Sequence, residues 1–74
     1  MERNIRVDRP LRPLNWQEIV KESTNRRKQQ KLTQKQLAVL AGVSGPTVNS
    51  FEQGKLTVTL ESAFKILRCL GLVA

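Results

Sequence analysis

Histidine and tyrosine are absent from the 74 residues, and cysteine occurs once, at position 69. Without histidine, one thiol cannot supply the nitrogen and sulfur ligands of a zinc site, so no metal is expected. No disulfide can close within the chain, which fits a reducing, cytoplasmic setting. Aromatic residues are limited to Trp16, Phe51 and Phe64. That is too few to build a stacking platform for single-stranded nucleic acid. No apolar run approaches the ~20 residues of a membrane span, and the opening MERNIRVDRP is too charged for a secretory signal. With no histidine, no glycine-rich phosphate loop and scattered carboxylates, no catalytic constellation is present, and neither an enzyme nor a cofactor is expected. Acidic residues are also few: 6 against 13 Lys and Arg, a net charge of +7. An excess of that size suits a polyanion or an anionic surface. A chain this short buries only about 60% of its unfolded surface, so it should form one small, marginally stable core.

What is present divides into two parts. Residues 1–14 hold Arg3, Arg6, Arg9 and Arg12 at intervals of three, with Pro10 and Pro13. Proline removes backbone donors and disfavours helix in the residue before it, so this segment reads as an extended basic arm. Ile5 and Val7 alternate with charges and allow a short strand. Residues 15–74 read as helical. Asn15 with Glu18 has the spacing of a capping box, and Leu14 with Ile19 that of a hydrophobic staple. Trp16, Ile19, Val20 and Ser23 follow on one face, with Trp16 as a partly buried anchor. The basic run Arg26, Arg27, Lys28, Lys31 suits the end of that helix near Gln29 or Gln30.

A second helix starts at the Thr33–Gln36 capping box, buries Leu37, Ala38, Leu40 and Ala41, and stops at Gly42. A third starts at Ser44, with Val48 and Phe51 inward and Gly54 after it. Its first residues are Gly45 and Pro46. Proline loses nothing in the first turn, where the backbone N–H has no partner, and glycine tolerates the restriction that proline imposes on its predecessor. A fourth starts near Thr59, with Leu60, Ala63, Phe64, Leu67 and Leu70 on its core face, and closes at Gly71. The sum is an all-α bundle of four short helices, or five.

The segment LTQKQLAVLAGVSGPTVNSFEQGK, residues 32–55, resembles the phage-repressor, Cro-type (XRE-like) helix-turn-helix family. Gln34 follows the Thr33 cap, Ala41-Gly42-Val43-Ser44 makes the turn, and Val48, Phe51, Glu52 and Gly54 follow at the family's intervals. With its flanking helices the resemblance spans about residues 15–72. It implies a lambda-repressor-like fold whose third helix enters the major groove of double-stranded DNA. It further implies that Gln34 contacts phosphate and that Arg27 and Glu52 form a structural salt bridge. Thr33, Lys35 and Lys55, in or at the edge of the motif, and Arg26, of the basic run that ends the first helix, are added as phosphate contacts. Ser44, Gly45, Pro46, Thr47, Asn49 and Ser50 face the groove, and of these Thr47, Asn49 and Ser50 can hydrogen-bond base edges. Gly45 and Pro46 depart from the family's long polar side chains there.

Several features admit two readings. On the fourth helix Ser62, Ile66, Cys69 and Val73 fall on a second stripe at about 100° per residue. It is read as a homodimer or partner face, or as a surface that the arm covers; Cys69 is a packing residue with no base beside it. The arm itself reads as a minor-groove reader, a solubilising tail or an exchanged strand. Residues 59–74 resemble the end of HipB-like antitoxins, which repress their own operon and hold a kinase toxin, so a toxin partner is the alternative function. A protein adaptor or RNA-binding module on the same fold is a further one.

Overall fold

The computed structural model describes residues 15–74; the arginine arm and Leu14 of the expected staple lie outside the described residues. Four helices follow one another: α1 Trp16–Gln29, α2 Gln34–Ala41, α3 Gly45–Glu52 and α4 Leu60–Cys69. Each begins as its capping chemistry dictates. Asn15 accepts from the Glu18 amide at 2.8 Å. Thr33 and Gln36 make a complete reciprocal box, at 2.9 and 3.0 Å. Ser44 accepts from the Thr47 amide and Thr59 from the Ser62 amide, both at 3.1 Å. Gly45 and Pro46 are the first two residues of α3. They open the helix instead of breaking it.

The four helices also end alike, in paired 6→1 and 5→2 backbone bonds that satisfy the last carbonyls. Val43 reaches Ala38 and Gly42 reaches Val39; Leu32 and Lys31 repeat the pattern on Arg27 and Lys28. Gly42, Gly54 and Gly71 supply the left-handed residue in three of them, with φ of 77–78°. In the first, Lys31 takes that position at φ 59°. A side chain there costs roughly 1 kcal/mol against glycine. Lys31→Gly should therefore raise stability by about that amount, read as a rise in the thermal unfolding midpoint.

Phe51, Leu37, Ile66, Leu70 and Val48 are fully buried and form the core with Val20, Ala38, Ala63 and Leu67. Each large side chain contributes about 1.5–3 kcal/mol by leaving water. Trp16 ties α1 to the end of α3. Its ring meets Phe51 edge-on at 5.4 Å, and its indole N–H donates to the Gly54 carbonyl at 2.9 Å. The buried Ser23 hydroxyl donates to the Ile19 carbonyl within the same helix.

Two expected faces need correction. Leu40 is 63% exposed and not part of the core; Leu37 and Ala38 form the buried side of α2. On α4 the buried residues are Ala63, Ile66 and Leu67, with Leu70 buried at its C-cap, while Leu60 and Phe64 are exposed. The core face is thus rotated toward Ile66. Cys69 and Val73 also pack against the core, half-buried. The Ser62, Ile66, Cys69, Val73 stripe is therefore not an open partner face. Both sides of α4 carry apolar residues, and packing against α2 and α3 decides between them.

Candidate nucleic-acid interface

Helix α3 turns Val48 and Phe51 inward, which leaves Pro46 and Asn49 on its solvent side. Thr47 and Ser50 stand half-exposed at the edge of that face. The Ser44 and Thr47 hydroxyls are 2.7 Å apart, so these two side chains hold each other at the tip. Gly45 is glycine at a helical, not a left-handed, position, and beyond its chain neighbours an added Cβ would meet nothing within 4 Å. The tip is blunt and open.

What holds this face at a fixed angle is an ion pair. Arg27 of α1 grips Glu52 of α3 with two bonds, Nε to Oε2 at 2.6 Å and Nη2 to Oε1 at 3.1 Å. The two side chains are only 12% and 8% exposed. A third donor, Nη1, reaches the Leu32 carbonyl before α2. The Gln34 amide joins the same carboxylate, donating through Nε2 to Glu52 Oε1 at 2.9 Å. Three helices therefore meet at one carboxylate, and Gln34 is oriented by it at the first position of α2. The free backbone donors and the positive dipole end of α2 lie beside that amide, a setting that favours an anion.

Thr33 and Lys35 at the start of α2, Ser44 before α3 and Lys55 after it are all exposed. Arg26 is different. Its Nη1 donates to the Leu70 carbonyl at 3.1 Å, with Glu22 at 4.0 Å. Its guanidinium serves the C-terminal end of α4, where a cation suits the negative dipole end.

A small notch of about 230 Å³ adds residues that sequence reasoning passed over. Pro46, Thr47 and Ser50 of α3 line one wall; Thr57, Val58, Thr59 and Ser62 line the other. Five of these seven residues carry hydroxyls, and no carboxylate lines the notch. The signal was the Thr-Val-Thr run before α4, of which only Thr59 was read, as a helix start. Among the described residues no three His, Cys, Asp or Glu side chains gather as a metal site, and no helix is long and apolar enough to cross a membrane.

Two short helices joined through a left-handed glycine, the second one offering a polar edge and clamped from behind, define a helix-turn-helix module. The chain belongs to the XRE-type helix-turn-helix family, whose sequence model, described as helix-turn-helix, matches residues 25–73. It is thereby a DNA-binding regulator of that type. The chain matches no curated protein.

Proposed function

We propose that this chain is a sequence-selective repressor that acts in the cytoplasm as a homodimer on a two-fold operator. The observation that supports it is the outward Pro46–Asn49 edge of α3 beside the carboxylate-oriented Gln34. Asn49 reads a base edge, with adenine as its natural bidentate partner, and Pro46 meets a thymine methyl. Thr47 and Ser50 contribute hydroxyls, while Gln34, Thr33, Lys35 and Lys55 contact phosphates that set the register. The hydroxyl-lined notch lets the sugar–phosphate strand sit close to the start of α4. Repression is by occupancy, and Lys and Arg make it salt-sensitive, with a log–log slope of about −0.9 per phosphate neutralised.

Asn49→Ala is expected to relax discrimination at one base position by about 1–3 kcal/mol. Gln34→Ala is expected to weaken binding to every duplex alike. Titration of matched and mismatched duplexes by fluorescence anisotropy checks both. Equal loss of discrimination in the two variants, or no salt-dependent duplex binding at about 50 mM salt, rejects the reading.

The homodimer is supported by a different surface from the stripe first considered. Leu56, Leu60 and Phe64 recur every four residues at exposures of 80%, 73% and 39%. A second copy covering them would place two α3 helices on half-sites about 34 Å apart. The double variant Leu60→Asp, Phe64→Ser should sediment as a monomer. It should lose at least roughly tenfold in affinity, or about 1.4 kcal/mol, for a two-half-site duplex. A dimer that persists in that variant excludes this face.

A further inference from the structure

Helix α2 turns two large aliphatic side chains to solvent. Val39 is 74% exposed and Leu40 63%, on the side away from the buried Leu37 and Ala38. With Leu32, Lys35 and Gln36 they line a shallow groove of about 400 Å³. Lys35 with Val39, and Gln36 with Leu40, stand four residues apart and so share one helix face. We propose that this face docks an acidic amphipathic helix of a partner protein.

Charge selects that occupant. From Ser23 to Phe51 the chain holds five basic residues and no acid. Arg27 is committed to Glu52, and Arg26 to the Leu70 carbonyl. Lys28, Lys31 and Lys35 are exposed, and none of the three has an ion pair among the described residues. Lys35 lines the groove, Lys31 precedes Leu32 of the same lining, and no carboxylate lines it. A second copy seated there by two-fold symmetry would set lysine against lysine, a like-charge pairing that costs affinity. Glutamates on a partner helix meet these lysines instead, while its leucines cover Val39 and Leu40. An anionic bilayer is the other surface of suitable charge. Two exposed aliphatic residues on an eight-residue helix bury too little apolar area to hold there.

Shape selects a helix. The described residues form no strand, so no open sheet edge is offered to an extended segment. The face presents side chains alone, which suits a helix laid in a groove. Its α2 wall runs from Lys35 to Leu40, about 8 Å at a rise of ~1.5 Å per residue. Two leucines four residues apart on the partner are about 6 Å apart and fall within that length. The docking concerns the chain free of DNA, where Lys35 has no phosphate to meet.

The test uses the full chain with labelled methyl groups and no duplex. The probe is a synthetic peptide of about 15 residues, near the length at which an isolated helix holds, with leucines every four residues and glutamates beside them. A companion peptide carries lysine at each glutamate. The glutamate peptide is expected to shift the Leu32, Val39 and Leu40 methyls saturably, and to bind at least about tenfold more tightly than its companion. Lys35→Glu should reduce or reverse that preference. Val39→Ser with Leu40→Ser should remove the response at Leu32, and neither residue belongs to the core. Absence of a saturable shift, or equal affinity for the two peptides, overturns the proposal. Dilution of the chain alone that moves the Val39 and Leu40 signals but not those of Leu60 overturns it in favour of a second copy. A response to phosphatidylserine vesicles without one to the peptide overturns it in favour of a lipid surface.

Discussion

Glu52→Ala is expected to destabilise the protein by roughly 3–5 kcal/mol, because it leaves the Arg27 guanidinium buried with its counter-charge removed. Only the Leu32 carbonyl would remain to Arg27, and the Gln34 amide would lose its acceptor. For a chain of 74 residues, total stability is about 4–11 kcal/mol, so the variant gives up a large share of it. The unfolding midpoint should fall by at least ~12 °C, since 1 kcal/mol corresponds to about 4–8 °C at this size. Circular dichroism melting measures it. Replacing both partners, Arg27→Met with Glu52→Leu, should recover most of the loss, because two charges then need no water. A single-variant loss under ~1 kcal/mol would mean that the pair behaves as an ordinary surface contact.

Phe51→Ala is the second large effect, at about 3–5 kcal/mol for an emptied core site. Phe51 is fully buried, and its ring is the one against which Trp16 stands edge-on. That aromatic pair adds about 0.5–1.5 kcal/mol to the loss. Since Trp16 is the chain's lone tryptophan, its fluorescence reports the change directly: emission should shift to the red as water reaches the indole. Phe64→Ala is the matched control. Phe64 is 39% exposed on α4, and its removal should cost well under half of the Phe51 value. Equal losses at 51 and 64 would restore the apolar face first expected for α4.

The contrast between those two phenylalanines shows where sequence reasoning succeeds. Helix starts were legible because capping is local: Asn15, Thr33, Ser44 and Thr59 each need only an amide three residues on. Three of the stops were legible because glycine marks a left-handed residue. The fourth was placed near the right residue without its cause, since Lys31 carries no such mark. The rotation of α4 was not legible. Its apolar residues populate two adjacent faces, and only contact with α2 and α3 selects Ile66 over Phe64. At the candidate interface, Asn49 was named through family resemblance, and it is exposed on α3. The pairing of Arg27 with Glu52 came through family resemblance. The partner of Arg26, Leu70, lies 44 residues away, and no local pattern could have named it.

The blunt tip of α3 also sets an order for change. Beyond its chain neighbours, space around residue 45 is open, yet the Pro46 ring crowds any Cβ placed on a helical residue before it. A longer side chain at 45 is therefore penalised while 46 remains proline and admitted once it is not. Substitutions at the two positions are epistatic, and a mutational route that changes both passes through 46 before 45.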